Sequence, residues 1–307
     1  VKPAVVAAAV LIAAVLIIVP VLFVQYRTVD VVEQRSVPWT EDTTELGLHL
    51  AASLGVVEVG FEDLDGAAVE ITARVQGTAS HFGDKSPLDL RLEYGNATDG
   101  RLDVVARFNT YAPQPYYSLH TVRYEVLVDT DLPTELNITV TTGGATVLTT
   151  EGTVLNGLRL NATTLGATVA LNNGTVLAGD MRVRSATGGA FLYWNNVTVV
   201  GDRRVLLEES SGKVFARVNQ LDPMGGAVAV VSEDRAGATE LVMDIHRGVS
   251  ATVEGTSVLG PVELTDEGGF SGTPTALRSA NYPTAMRFDV RLNSTVGGIE
   301  AWCRWSS

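Results

Sequence analysis

The sequence predicts an all-β protein, a parallel β-solenoid (a single-chain β-helix) of 22–25-residue coils behind an N-terminal transmembrane helix. Three observations carry this. Between Leu136 and about Gly248 the chain repeats itself around five glycines, Gly144, Gly166, Gly189, Gly212 and Gly237, spaced by 22, 23, 23 and 25 residues. Within the repeats apolar and polar residues alternate, as in Leu136, Ile138 and Val140, Leu158 and Leu160, or Met181 and Val183, which is strand chemistry. Ahead of them, Ala4 to Val24 is a run of 21 residues without a charge.

The apolar run comes first in the chain. As a helix it is long enough to cross a hydrocarbon core of roughly 30 Å, with Pro20 kinking its outer end. It is too long for a cleaved secretory signal, and no small-x-small site follows it before Gln25. Residues 1–24 are therefore expected to be a transmembrane anchor. Lys2 on one side faces Arg27 and Arg35 on the other, so the charge bias nearly cancels and orientation rests on the body. Val1 fits either a GTG start translated literally or a processed terminus. Residues 25–46, polar and acidic around Pro38, read as a stalk. Residues 47–133 hold strands such as VVEVGFED, AAVEITARV and RLDVVARF, with turns at Asp65-Gly66 and Asp99-Gly100, and read as a β region or cap. Residues 134–250 are the repeat, and 251–307 read as irregular coils and a closing cap, with Trp302 and Trp305 plugging the last coil.

Stacking of the coils predicts columns of like residues. Val147, Val169, Leu192 and Phe215 each follow an anchor glycine by three residues and are expected to face inward. Asn173, Asn196 and Asn219 are expected to form an amide ladder at a turn, beside a column of Thr153, Thr175 and Thr198. Strands too short and too frequent to leave room for helices argue against helical arrays. An antiparallel β-sandwich of similar strands is the alternative.

Composition narrows the function. A net charge of −13 disfavours nucleic acid as a partner and leaves no basic patch for anionic lipid. Six N-x-S/T sequons, at Asn96, Asn137, Asn161, Asn173, Asn196 and Asn293, exceed the roughly two that chance gives and point to N-glycosylation outside the cell. Asn173 and Asn196 cannot both line an inward ladder and carry glycans, so Asn96, Asn137 and Asn293 are the better sites. Asp180 and Asp202 occupy the same turn of successive coils, with Glu208, Glu209 and Asp234 nearby. They are weak metal candidates, because Gly-Asp is common turn chemistry. The four histidines show no ligand spacing, the single Cys303 has no partner, and neither a phosphate loop nor a Ser-His-Asp arrangement is visible, so no catalytic residue and no cofactor is expected.

The T-x-G-A and S-S-G-K steps (Thr142 to Ala145, Thr164 to Ala167, Ser210 to Lys213), preceded by the VVEVGFED and AAVEITARV strands, resemble the bacterial and archaeal "putative adhesin" family of membrane-associated β-solenoids over residues 54–300. Leu192, Tyr193 and Trp194 depart from the short polar turn usual there. The resemblance implies cell-surface attachment and supplies no functional residues. The expectation is a single-pass cell-membrane protein with its β domain on the extracytoplasmic side. It would be a non-enzymatic structural or adhesion module, or an accessory subunit of an envelope complex. Its partners would be membrane lipid through residues 4–24 and envelope proteins or surface glycans, without nucleic acid. A type IV pilin-like filament subunit and a β-helix carbohydrate-active enzyme are the alternatives.

Overall fold

The computed structural model describes residues 26–80, 86–96, 98–111 and 117–306. Their strands, in chain order, are β1 (Tyr26–Pro38), β2 (Glu45–Ala52), β3 (Gly55–Glu62), β4 (Ala67–Ser80), β5 (Leu88–Asn96), β6 (Arg101–Thr110), β7 (Tyr117–Asp129) and β8 (Thr134–Val140). The repeat region supplies β9 (Gly143–Leu148), β10 (Val154–Ala162), β11 (Gly166–Leu171), β12 (Val176–Leu177), β13 (Met181–Thr187), β14 (Ala190–Asn195), β15 (Thr198–Val199), β16 (Arg203–Gln220) and β17 (Ala227–His246). The chain ends with β18 (Ser250–Ser257), β19 (Val262–Gly268), β20 (Phe270–Thr273), β21 (Ala276–Ser279), β22 (Arg287–Val296) and β23 (Ile299–Ser306). The one helical element described is the three-residue 3₁₀ turn Thr98–Gly100.

All these strands belong to one mixed sheet folded on itself. One layer runs β5, β6, β2, β8, β10, β13, β16, β17, β22, β18, β21, β20. The other runs β1, β4, β7, β3, β9, β11, β14, β16, β17, β23, β19. The long strands β16 and β17 pass from the first layer into the second, and the start of β10 with β12 and β15 forms a short third side. The result is a flattened, nearly closed barrel around one apolar core that extends from Val37 to Cys303.

This overturns the parallel solenoid. Five pairings are antiparallel, β1 with β4, β4 with β7, β5 with β6, β18 with β21 and β20 with β21. The spatial order also departs from chain order. β2 lies between β6 and β8, β3 between β7 and β9, β22 between β17 and β18, and β23 between β17 and β19. The physical reason is that the repeat covers only the middle of the chain. Outside it, turns such as Asp99-Gly100, with φ of 77° and 81°, reverse the strand direction and make hairpins. The transmembrane helix is corrected as well. Among the described residues the chain is essentially all-β and no helix is long and apolar enough to cross a membrane. The run 4–24, on which the single-pass anchor, its localisation and the filament alternative rested, lies outside the described residues.

Within the repeat, the spacing is the register of parallel neighbours. Gly144 pairs with Gly166, Ala167 with Ala190, and Gly212 with Gly237. The glycines mark the bend between layers, where backbones stack too closely for side chains. A Cβ on Gly237 would lie 1.5 Å from the Gly212 carbonyl oxygen, and Gly166 holds a φ of +95°. From β14 to β16 the register lengthens, so that Ala190 faces Val214. Because side chains alternate with period two, that extra residue turns Phe215 outward and puts Ala216 in the inward column of Val147, Val169 and Leu192. The amide ladder is shifted likewise. Asn219 Nδ2 donates to Asn195 Oδ1 at 3.0 Å, one residue before the expected Asn196.

Trp194 sits at the middle of the core, fully buried between Leu171 and Val218 of the neighbouring strands and edge-on to Phe288 at 5.7 Å. Its Nε1 donates to Gln220 Oε1 at 2.7 Å, an acceptor shared with the Val197 N–H at 3.0 Å. Burying an indole is stabilising only when its N–H is satisfied in this way. Trp194→Ala is expected to cost about 3–5 kcal/mol in urea denaturation, whereas Tyr193→Ala, one residue away on the outer face, is expected to cost less than about 1 kcal/mol. Cys303 lies in the same core, and its thiol is pushed up to about 12, chiefly by burial and then by the charges of Asp266 and Glu267. It is expected to resist a maleimide or disulfide reagent at pH 8 in the native protein and to react promptly in guanidinium.

Candidate contact face and an acidic bend

The residues singled out by sequence are scattered over the surface. Asp180 and Asp202 are exposed, and each accepts a hydrogen bond from the backbone of the next rung, Asp180 from Arg204 N at 2.9 Å and Asp202 from Ala227 N at 3.3 Å. They tie turns to neighbouring turns. Among the described residues no group of three or more His, Cys, Asp or Glu side chains is placed to hold a metal. Of the sequon asparagines, Asn173 and Asn293 are exposed, while Asn137 and Asn161 are half-buried on strands. Asn196 adopts φ +48° and its Oδ1 accepts from Leu221 N at 2.7 Å. Asn96 ends β5.

The structure instead brings together a row on the outer face of the second layer. Leu148, Ala170, Tyr193, Arg217, Val242 and Trp302 lie in register on six successive strands. Phe191 and Phe215 form the adjoining row, with Phe215 against Tyr193 at 5.6 Å between ring centroids. Leu148 is 48 % and Tyr193 41 % exposed. Lys213 stands 5.2 Å over the Phe215 ring while pairing with Glu240, and Arg304 pairs with Asp244 at 2.8 Å. At the other end of the row Gly60 supplies no side chain between Leu127 and Leu148, leaving a groove of about 290 Å³ floored by strand backbone and walled by the Arg123–Glu58 ion pair. Glu58 holds the Arg123 guanidinium above its ordinary range. A flat sheet carrying aromatic rings, bordered by paired charges, offers contact area rather than a reaction chamber. The signal for it was present in the alternation A-F-L-Y-W-N of β14, which sends Leu192 and Trp194 inward and Phe191 and Tyr193 outward.

A second feature follows the bend between layers, where a cleft of about 430 Å³ is rimmed by Arg184, Glu208, Glu233 and Arg235. Behind it Ser185, Glu209, Asp234 and Ser294 lie in register on β13, β16, β17 and β22, all buried. Glu209 Oε1 accepts from Ser211 N at 3.0 Å. Glu209 Oε2 and the hydroxyls of Ser232 and Ser294 have no hydrogen-bond partner, and the Asp234 carboxyl has only the Ala236 N–H and the Thr239 hydroxyl close to it. Burial pushes the Asp234 carboxyl up from 3.8 to about 6, opposed by the Ala236 N–H, aided by the neighbouring Glu209 charge and opposed again, least, by the Thr239 hydroxyl.

No family model and no curated protein matches the chain. Solved structures do. A "putative cell adhesion protein" from Clostridium sporogenes aligns at 10 % identity and a TM-score of 0.40, over 90 % of this chain and 100 % of its own. A "putative adhesin" from Bacteroides fragilis aligns at 12 % identity and a TM-score of 0.33, over 90 % and 97 %. A "putative lipid binding protein" from Parabacteroides distasonis aligns at 10 % identity and 0.35, over 88 % and 96 %. The adhesin names agree with the sequence resemblance, but likenesses this distant transfer neither membership nor function.

The acidic bend generates a pH dependence. A carboxyl whose pKa is higher folded than unfolded adds stability at pH values below its unfolded value, near 3.8, and that stability is lost as pH rises to about 6. The loss is on the order of 3 kcal/mol. With denaturant midpoints measured across pH 4 to 7 in chelator-containing buffer, the stability of the wild type relative to Asp234→Asn should fall with rising pH, leaving the variant the more stable protein at pH 7.

Proposed function

We infer that the protein is a non-enzymatic contact module of the cell-surface adhesion type, binding envelope proteins or surface glycans through the outer face of the second layer. The observation that carries this reading is the in-register row that includes Tyr193 and Trp302, with Phe191 and Phe215 beside it. Rings held by a sheet lose little conformational freedom on binding, so their stacking area is available to the faces of sugar rings or to apolar protein side chains. Nucleic acid is disfavoured by the charge of −13, which repels phosphates at long range. A hydrolytic role would need carboxyls flanking a bound substrate. Glu209 and Asp234 support the non-enzymatic reading because they lie side by side on adjacent strands and are both buried rather than exposed to flank a ligand.

The test uses the purified full chain on beads, presented to intact cells and to immobilised polysaccharides. Tyr193→Ala with Trp302→Ala is expected to lower retention at least tenfold on whichever surface binds the wild type. Arg159→Ala, exposed on the outer face of the first layer, should leave retention unchanged. Equal losses for both variants, or none for the aromatic pair, would sink the assignment to this face.

A further inference from the structure

The cluster behind the bend is internally uncompensated. Two carboxyls face each other from adjacent strands, and the groups that shift Asp234 are burial, Glu209, Ala236 and Thr239, with no arginine or lysine among them. Arg184 and Arg235 stay exposed on the rim. Two hydroxyl side chains stand at the same place and a third lies one inward position along β17. Thr239 lies beside Asp234 from the far side of the bend, Ser294 is in register with Asp234 on β22, and Ser232 precedes it by two residues on the same inner face. Each hydroxyl is at least nine-tenths buried, those of Ser232 and Ser294 have no partner, and that of Thr239 has only the Asp234 carboxyl beside it. Burying so many polar atoms unsatisfied is costly, so the arrangement calls for something that all of them can bind at once.

Neutral water would satisfy hydroxyls but would leave two like charges side by side. A cation satisfies both. Every free atom is an oxygen, and neither histidine nor the single cysteine is among them, which points to a hard cation rather than zinc. Adjacent strands lie about 4.8 Å apart, twice a calcium–oxygen distance of roughly 2.3–2.6 Å, so an ion midway between in-register side chains meets both at bonding length. Two carboxylates match a double charge. We propose that Glu209, Asp234, Thr239 and Ser294 form a buried calcium-class cation site, reached through the cleft and pinning β16, β17 and β22 together. The site is separate from the aromatic contact face, so either assignment can fail without the other.

The experiment takes the full chain stripped with chelator and returned to pH 7.4. Native mass spectrometry is expected to show one calcium per chain on readdition. About 5 mM calcium, above the weakest class of such sites, is expected to raise Tm by about 3 °C or more, with magnesium giving a smaller rise. Asp234→Asn should abolish the calcium shift while folding in its absence, and Asp202→Asn, on a surface turn, should keep it. A wild-type chain that binds no calcium would overturn the site, as would an Asp234→Asn variant that responds like wild type or a magnesium shift equal to that of calcium. The mass measurement needs no variant, so a substitution that fails to fold leaves it decisive.

Discussion

Register is the constraint on which the rest of this structure depends. Each rung of the barrel hydrogen-bonds to the next along its backbone, and each inward side chain rests on its counterpart one strand away, as Val147 does on Val169 and Val169 on Leu192. A slip of one residue would exchange the two faces of a strand, and so exchange core for surface. The glycines of the bend enforce the alignment, since only bare backbone fits where Gly237 crosses Gly212. Where the register does change, between β14 and β16, the effect is immediate, as Phe215 leaves the interior and joins Phe191 and Tyr193 outside.

The same regularity that builds the core lines up functional groups. A row of outward positions on parallel strands repeats one chemical environment every 4.8 Å or so, and aromatic side chains there become a strip rather than isolated patches. The inward row through Ser185, Glu209, Asp234 and Ser294 is the counterpart on the other side of the sheet, where polarity collects in a place that the apolar columns would otherwise fill. Burial is what distinguishes the two rows. On the outside an aromatic side chain costs little, whereas inside an unpartnered carboxyl changes its protonation or acquires a counter-charge.

Much of the local structure was legible in the sequence. The glycine spacing and the alternation of Leu158, Leu160, Met181 and Val183 gave the strands and their parallel neighbours in the middle of the chain, because both follow from short-range geometry. The overall architecture was not. Nothing in the residues of β22 or β23 says that they will lie against β17 rather than beyond β19, since an apolar face fits any neighbour of the same pattern. Asp180 and Asp202 drew attention as a repeated pair, yet a repeated turn needs a repeated cap, and their carboxylates serve backbone amides. Glu209 and Asp234 were visible only as nearby acids. Their burial depends on which side of the bend they face, which alternation through β16 and β17 decides but composition does not.

The placement of β22 and β23 between strands made earlier also bears on how the chain is assembled during synthesis. When β17, β18 and β19 have emerged from the ribosome, the sheet still has a vacant slot in its interior, and the strands bordering it expose backbone that other chains could pair with. It closes only once β22 and β23 have followed. A chain cut short before Arg287 would therefore lose an inner rung and carry two open seams. The order of translation and the order of stacking are out of step, and β22 with β23 acts as a keystone.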